Sequence, residues 1–324
     1  MRGRISHVRA LVFASIVTVA LVLTAGAGAD GLPVLGIDVG SVGVTVPAGP
    51  ERFVTINEGK WILVERIARH GGRVQGFTRV KGNFTIPAVA YDGSAGGLSA
   101  DGRTIVLIEP RTSFPRSKTR FAVLNSGLGL NQTITLPGDF SFDAISPDGR
   151  TMYLINYTDR NDPTRYSVRA YDLGSYRLLP KAITDPAEHE DAMRGAPITR
   201  LMSADGRWAY TLYDGAGKTP FVHALDTVAQ RAHCIDLKML AGRADLWSLR
   251  LRPEAGGSNV RVLSSGIPVA VVDTTTFTAG LPPTHAGWDI RPWLVLGAAA
   301  LVALLAALAV TATRRRLRGR PATA

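Results

Sequence analysis

Cysteine occurs once in this chain, as Cys234, so no intrachain disulfide framework exists. It sits in Ala232-His-Cys-Ile-Asp-Leu237, a run of strand character, and reads as a buried strand residue rather than a reactive thiol. Histidine is scarce too: His7, His70, His189, His223, His233 and His285 show no metal-ligand spacing. The stretch Asp185-Pro-Ala-Glu-His-Glu-Asp191 gathers four acids around a histidine, which invites a metal, yet it is not His-Glu-x-x-His and reads as a surface loop. A nucleophile elbow is also missing, because Val39 stands where Gly40-Ser41 would need a preceding glycine. These absences leave no catalytic residue, no metal ligand and no cofactor assigned.

Acidic residues are absent from both ends of the chain, and this absence explains the net charge of +11. Arg2, Arg4 and Arg9 precede the first apolar run; Arg314, Arg315, Arg316, Arg318 and Arg320 follow the last. Subtracting those eight from +11 leaves +3 for everything between. The excess charge therefore belongs to targeting and topology, and no nucleic-acid partner is implied.

Residues 1–29 read as a secretory signal peptide: a basic start, an apolar run from Ala10 to Leu23, and small residues at Ala25-Gly-Ala27 and Ala27-Gly-Ala29 for cleavage. As a helix that run is about 21 Å long, shorter than the roughly 30 Å hydrocarbon core of a bilayer. At the other end, Trp293 to Thr313 carries no charge, and its helix would span about 31 Å. Its leucines and valines favour insertion by about 3–5 kcal/mol. The expected organisation is a signal peptide (1–29), an extracytoplasmic domain (30–277), a Pro/Gly/Thr linker (278–292), a transmembrane helix (293–313) and a basic cytoplasmic tail (314–324). The arginines after the helix place the tail inside and the domain outside, a single-pass protein of the cell membrane. Leu281-Pro-Pro-Thr284 is similar to a sortase signal, with His285 where that signal has glycine.

What fills the domain is a repeat. Leu98-Ser-Ala-Asp-Gly-Arg-Thr104, Ile145-Ser-Pro-Asp-Gly-Arg-Thr151 and Met202-Ser-Ala-Asp-Gly-Arg-Trp208 each put a Ser-x-Asp-Gly-Arg turn before a run of β-branched or aromatic residues. Asp-Gly between apolar runs is a hairpin signal: glycine supplies positive φ and aspartate bonds to its own backbone. Asp101, Gly102, Asp148, Gly149, Asp205 and Gly206 are accordingly read as structural turn residues, since a catalytic group need not recur in every repeat. The copies are too far apart for one hairpin and suit a four-stranded blade with loop insertions.

The motif, with Val168-Arg-Ala-Tyr-Asp172, Val222-His-Ala-Leu-Asp226 and the weaker Val269-Ala-Val-Val-Asp273 at matching later positions, resembles WD40-like and YVTN-type β-propeller repeats, although no repeat carries a Trp-Asp dipeptide. The resemblance covers roughly residues 87–273 and extends to membrane-anchored propeller proteins of bacteria. It implies an all-β propeller of about five to seven antiparallel blades, with the motif joining the first and second strands of a blade. It implies no particular activity, because propellers host many.

Further strands are expected at Arg52–Ile56, Trp61–Ile67 and Arg73–Val80, an atypical first blade, and at Leu246–Leu251. Closure would borrow the 35–46 segment. Arg66, Arg69 and His70 are placed at a hairpin tip, and Arg111–Arg120 is read as a solvated basic loop. Five tyrosines, Tyr153, Tyr157, Tyr166, Tyr171 and Tyr176, read as blade packing. His223 and His233 fall in adjacent strands as possible neighbours. The expected function is a non-catalytic binding module displayed outside the membrane, with a protein or glycan as ligand. The alternative is a propeller enzyme of lactonase, lyase or glycan-processing type.

Overall fold

The computed structural model describes residues 43–46, 49–187 and 193–283. The signal segment, the 293–313 helix, the basic tail, His189 and Glu190 lie outside them. No helix among the described residues is long and apolar enough to cross a membrane.

Nineteen strands among the described residues build five antiparallel sheets. The first holds β1 (Val44–Thr45), β2 (Glu51–Asn57), β3 (Trp61–Ala68) and β4 (Val74–Lys81). The second holds β5 (Thr104–Ile108), β6 (Lys118–Asn125) and β7 (Leu130–Pro137). The third runs β8 (Phe140–Ile145), β9 (Thr151–Tyr157), β10 (Tyr166–Asp172) and β11 (Arg177–Ile183). The fourth runs β12 (Pro197–Met202), β13 (Trp208–Tyr213), β14 (Phe221–Asp226) and β15 (Arg231–Asp236). The fifth runs β16 (Arg250–Pro253), β17 (Asn259–Ser264), β18 (Ile267–Asp273) and β19 (Thr278–Gly280). Within each sheet every strand pairs with its neighbour in sequence, as a meander requires, and the structure is β-propeller-like.

Alternation fixes how the sheets stack, since successive side chains in a strand point to opposite faces. In β14, Val222 and Ala224 pack with Val260, Val262 and Val272 of the fifth sheet, while Leu225, from the other face, joins Ala144, Tyr153 and Val168 of the third. Similar cores join the first sheet to the second through Val64, Val80, Ile105 and Leu124, and the second to the third through Phe121, Phe142 and Leu154. Burying a side chain of this size contributes about 1.5–3 kcal/mol.

Several expectations change. The segment 246–248 is a 3-10 turn and the strand begins only at Arg250. Of the 35–46 segment, the described end, β1, pairs with β2 and completes the first sheet. Arg66 lies within β3, 3.6 Å from Glu51 and donating to the Ser126 carbonyl at 3.2 Å, so it does not share the hairpin tip with Arg69 and His70. Of the tyrosines, Tyr153, Tyr166 and Tyr171 are buried, Tyr157 is half-buried, and Tyr176 is exposed.

The second sheet has three named strands because its inner strand is interrupted. Only the isolated bridges Thr85↔Ile108 and Leu98↔Ile105 remain of it. Between them residues 87–97 leave the sheet as a small hairpin, bridged at Ala88↔Ala95. Its tip donates from Tyr91 N to Pro197 O at 2.9 Å and from Asp92 N to Ile198 O at 3.1 Å, at the start of β12. Tyr91 also meets Trp247 edge-on at 5.5 Å, and Asp92 lies 3.7 Å from Arg250. The hairpin thus ties the second sheet to the fourth and fifth.

Candidate binding site

The three repeat turns are built alike. In each, the serine carbonyl accepts from the glycine N–H at 2.9 Å. The serine hydroxyl donates to the aspartate at 2.6 Å, in Ser99–Asp101, Ser146–Asp148 and Ser203–Asp205. That carboxylate accepts the arginine N–H two residues on, at 2.9, 3.1 and 3.1 Å. The glycines hold φ of +70°, +70° and +72°, a region that other residues rarely occupy. The Ser203 hydroxyl, above all, holds the Asp205 carboxyl below its usual pKa, against partial burial. For Asp148 partial burial is the largest influence and acts upward, but the Ser146 hydroxyl and the Arg150 N–H together outweigh it and the net direction is down.

The turns also touch one another. Asp101 N donates to Pro147 O at 3.1 Å, which links the second sheet to the third. A Cβ on Gly149 would stand 2.2 Å from Thr104 Oγ1, and one on Gly206 would stand 2.4 Å from Ala100 Cβ. Val46, just past β1, approaches Gly102 in the same way, at 3.1 Å from a Cβ there.

The aspartates ending Val168–Asp172, Val222–Asp226 and Val269–Asp273 make a second set of turns. Each carboxylate accepts two backbone N–H groups beyond it: Gly174 and Ser175, Val228 and Ala229, Thr275 and Thr276. Asp226 is buried and also carries Arg207, whose Nη2 donates at 2.7 Å.

Beside the first and third of the repeat turns lies a cavity of about 360 Å³. Its wall comes from β1, from the 94–100 segment of the second sheet, from β8 and from β12. The turns contribute Ser99, Ser203 and Gly206 to it, and the 87–97 hairpin contributes Val89 and Ser94. The first and third repeat turns and the hairpin therefore all border it. Most of the lining is apolar. Its one charged pair is Asp143 on β8 with Arg200 on β12: Arg200 Nη2 donates to Asp143 Oδ1, and Nη1 to the Asp143 carbonyl at 2.9 Å.

Arg200 begins a polar row across the fourth sheet. The register sets Arg200 beside Thr211, Thr211 beside His223 and His223 beside Cys234, so all four face the third sheet. Cys234 N donates to Asp185 Oδ2 at 2.7 Å, which puts the first acid of the 185–191 stretch in a structural bond. Asp143 Oδ2, Arg200 Nε, Thr211 Oγ1 and His223 Nε2 are buried without a protein partner. Burial, first of all, pushes the His223 pKa down to about 4, with Asp143 opposing. His233 pairs with Ala224 and therefore faces the other way, stacked on Phe277 at 3.9 Å. The two histidines are sequence neighbours across strands but do not converge.

Arg111 and Arg116 overturn the solvated-loop expectation. Both guanidiniums turn inward onto Asp139, at 3.0 Å from Arg111 Nε and 3.2 Å from Arg116 Nε. Arg111 also lies over the Tyr157 ring, 4.9 Å from its centre. Burial brings the Arg116 pKa down to about 10, and the neighbouring Arg111 charge adds to that.

These features define a β-propeller-like scaffold with a cavity lined by four of its five sheets. No protein-family model and no curated protein matches the sequence. Among solved structures, a functionally unknown protein from Desulfotomaculum acetoxidans is similar at 14% identity, over 78% of this chain and 73% of that one, with a TM-score of 0.45. A putative TolB from Agrobacterium tumefaciens is similar at 17% identity, over 73% and 82%, with a TM-score of 0.33. A putative 6-phosphogluconolactonase from Bacteroides uniformis is similar at 15% identity, over 72% and 65%, with a TM-score of 0.38. No activity is carried over from them.

Proposed function

We propose that this chain is a non-catalytic binding module, a propeller held on the outer face of a membrane by its 293–313 helix, which takes a protein segment or glycan into that cavity. The observation that carries the reading is the cavity itself: four sheets and the hairpin line it, and among the described residues its only charged groups, Asp143 and Arg200, already neutralise each other. The topology rests on the basic, uncharged-then-basic pattern of the chain ends.

Two measurements test it. Protease added to intact cells should remove the 43–283 region and spare a reporter fused after Ala324; a protected region rejects the topology. Thermal unfolding of the full chain in detergent, scanned against peptides and oligosaccharides, should show a raised midpoint with a true ligand, worth about 2.7 kcal/mol at a hundredfold excess over Kd. Met202→Trp, which fills the cavity from its wall, should abolish that rise. A ligand whose effect survives Met202→Trp binds elsewhere and sinks the cavity assignment.

A further inference from the structure

The second sheet carries a groove separate from the cavity beside the repeat turns. Residues 109–117 connect β5 to β6, and with Asn83 and Lys118 they enclose about 490 Å³. No residue of this groove lines that cavity.

Its chemistry is unbalanced in one direction. Behind the lining residue Arg116, two guanidiniums share one carboxylate: the side chains of Arg111, Arg116 and Asp139 are 5%, 12% and 3% exposed. Buried charge is costly unless compensated, and this trio keeps a net positive charge. The Glu109 carboxylate, 3.2 Å from Arg120, is already engaged. Lys118 adds an exposed ammonium at the rim. Among the residues that line the groove, then, two cations (Arg116, Lys118) meet one carboxylate (Glu109), a surplus of one positive charge.

The uncharged part of the lining is equally specific. Thr112, Ser113 and Ser117 present hydroxyls. Asn57 donates to Asn83 Oδ1 at 3.2 Å, a bond that leaves the Asn83 amide nitrogen as a donor. Arg116 is fixed by its own bonds, Nη1 to the Glu109 carbonyl at 2.7 Å and Nη2 to the Phe140 carbonyl. A guanidinium has five N–H donors, more than these contacts use. The result is a pre-positioned cation beside several hydroxyl and amide groups that donate and accept.

We propose that this groove binds an oxyanion carried on a polyol, that is, a carboxylate- or phosphate-bearing saccharide or alditol chain. The anion faces Arg116 and Lys118, and the ligand hydroxyls exchange hydrogen bonds with Thr112, Ser113, Ser117 and Asn83. The proposal does not depend on the cavity beside the repeat turns being a binding site.

Calorimetric titration of the full chain in detergent tests it, with trigalacturonate, a glycerol-phosphate oligomer and neutral maltotriose as probes. At least one anionic probe should bind, more weakly as salt is raised, and maltotriose should not. The two anionic arms decide between carboxylate and phosphate. Lys118→Glu, an exposed change, should weaken binding about tenfold, the loss of one charge-assisted hydrogen bond. The Ser113→Ala/Ser117→Ala double variant should weaken the saccharide probe while leaving the thermal midpoint of the unliganded protein unchanged. Equal binding of maltotriose, absence of binding to either anion at millimolar concentration, or affinities untouched by both variants would overturn the assignment.

Discussion

His223 ties stability to pH in a window that can be worked out from its surroundings. The ring is 2% exposed on β14, its Nδ1 lies 3.9 Å from Cys234 Sγ, and its Nε2 has no protein partner. Burial is the main reason its pKa falls from 6.5 to about 4, with Arg200 and His233 adding to the fall and Asp143 and Asp185 opposing it. The unfolded chain therefore binds a proton between pH 6.5 and 4 that the folded chain refuses. The contribution of this group is fully present above pH 6.5, falls as pH drops, and levels off below about 4. The whole gap is worth about 3 kcal/mol, of which about 2 kcal/mol is lost by pH 5. Urea unfolding of the full chain in detergent at pH 7.5 and pH 5, for wild type and His223→Gln, isolates the term, because the carboxylates titrate alike in both proteins. Wild type should lose about 2 kcal/mol more than the variant over that interval. Equal losses would refute the reasoning and would mean that water or a neighbour solvates the ring in the folded protein.

Three further outcomes are expected in the same unfolding assay. Gly149→Ala should destabilise by about 2–4 kcal/mol, since it combines a positive φ with a clash against Thr104; a neutral result would contradict the close approach of the turns. Asp148→Ala should cost only about 1 kcal/mol, because its carboxylate is largely exposed and what is lost is local bonding to Ser146 and Arg150; an unchanged midpoint would remove the turn assignment. Asp139→Ala should cost about 3–5 kcal/mol by leaving two buried guanidiniums without their carboxylate, and a loss below 1 kcal/mol would show that the pair is solvated instead.

The features legible in the sequence are those whose causes are local. Ser-x-Asp-Gly-Arg announces its turn because serine, aspartate and glycine bond within five residues of one another, and the strands that follow carry their own β-formers. The burial of Arg111 and Arg116 is illegible for the opposite reason: their partner, Asp139, lies more than twenty residues away, and the composition of the stretch alone is that of a solvated loop. The polar row from Arg200 to Cys234 is similarly invisible until register aligns four strands, and the same register separates His223 from His233. The hairpin at 87–97 did leave a signal, the glycines at 93, 96 and 97, which mark a chain that bends and approaches other backbone closely. Gly96 lies so near the Phe142 ring that a Cβ would come within 2.8 Å of it.

The contacts among the three repeat turns change what a repeat means in this protein. Ala100 occupies the space that the missing Cβ of Gly206 leaves, and Thr104 does the same at Gly149. The first copy is therefore part of the mould in which the other two sit, and a side chain cannot grow at Gly149 or Gly206 without the first copy yielding. Sequence drift is coupled across positions 45 and 106 residues apart in the chain. So is mechanical failure: opening one sheet removes packing from the turn of the next, and the sheets around the cavity should part together rather than peel away singly.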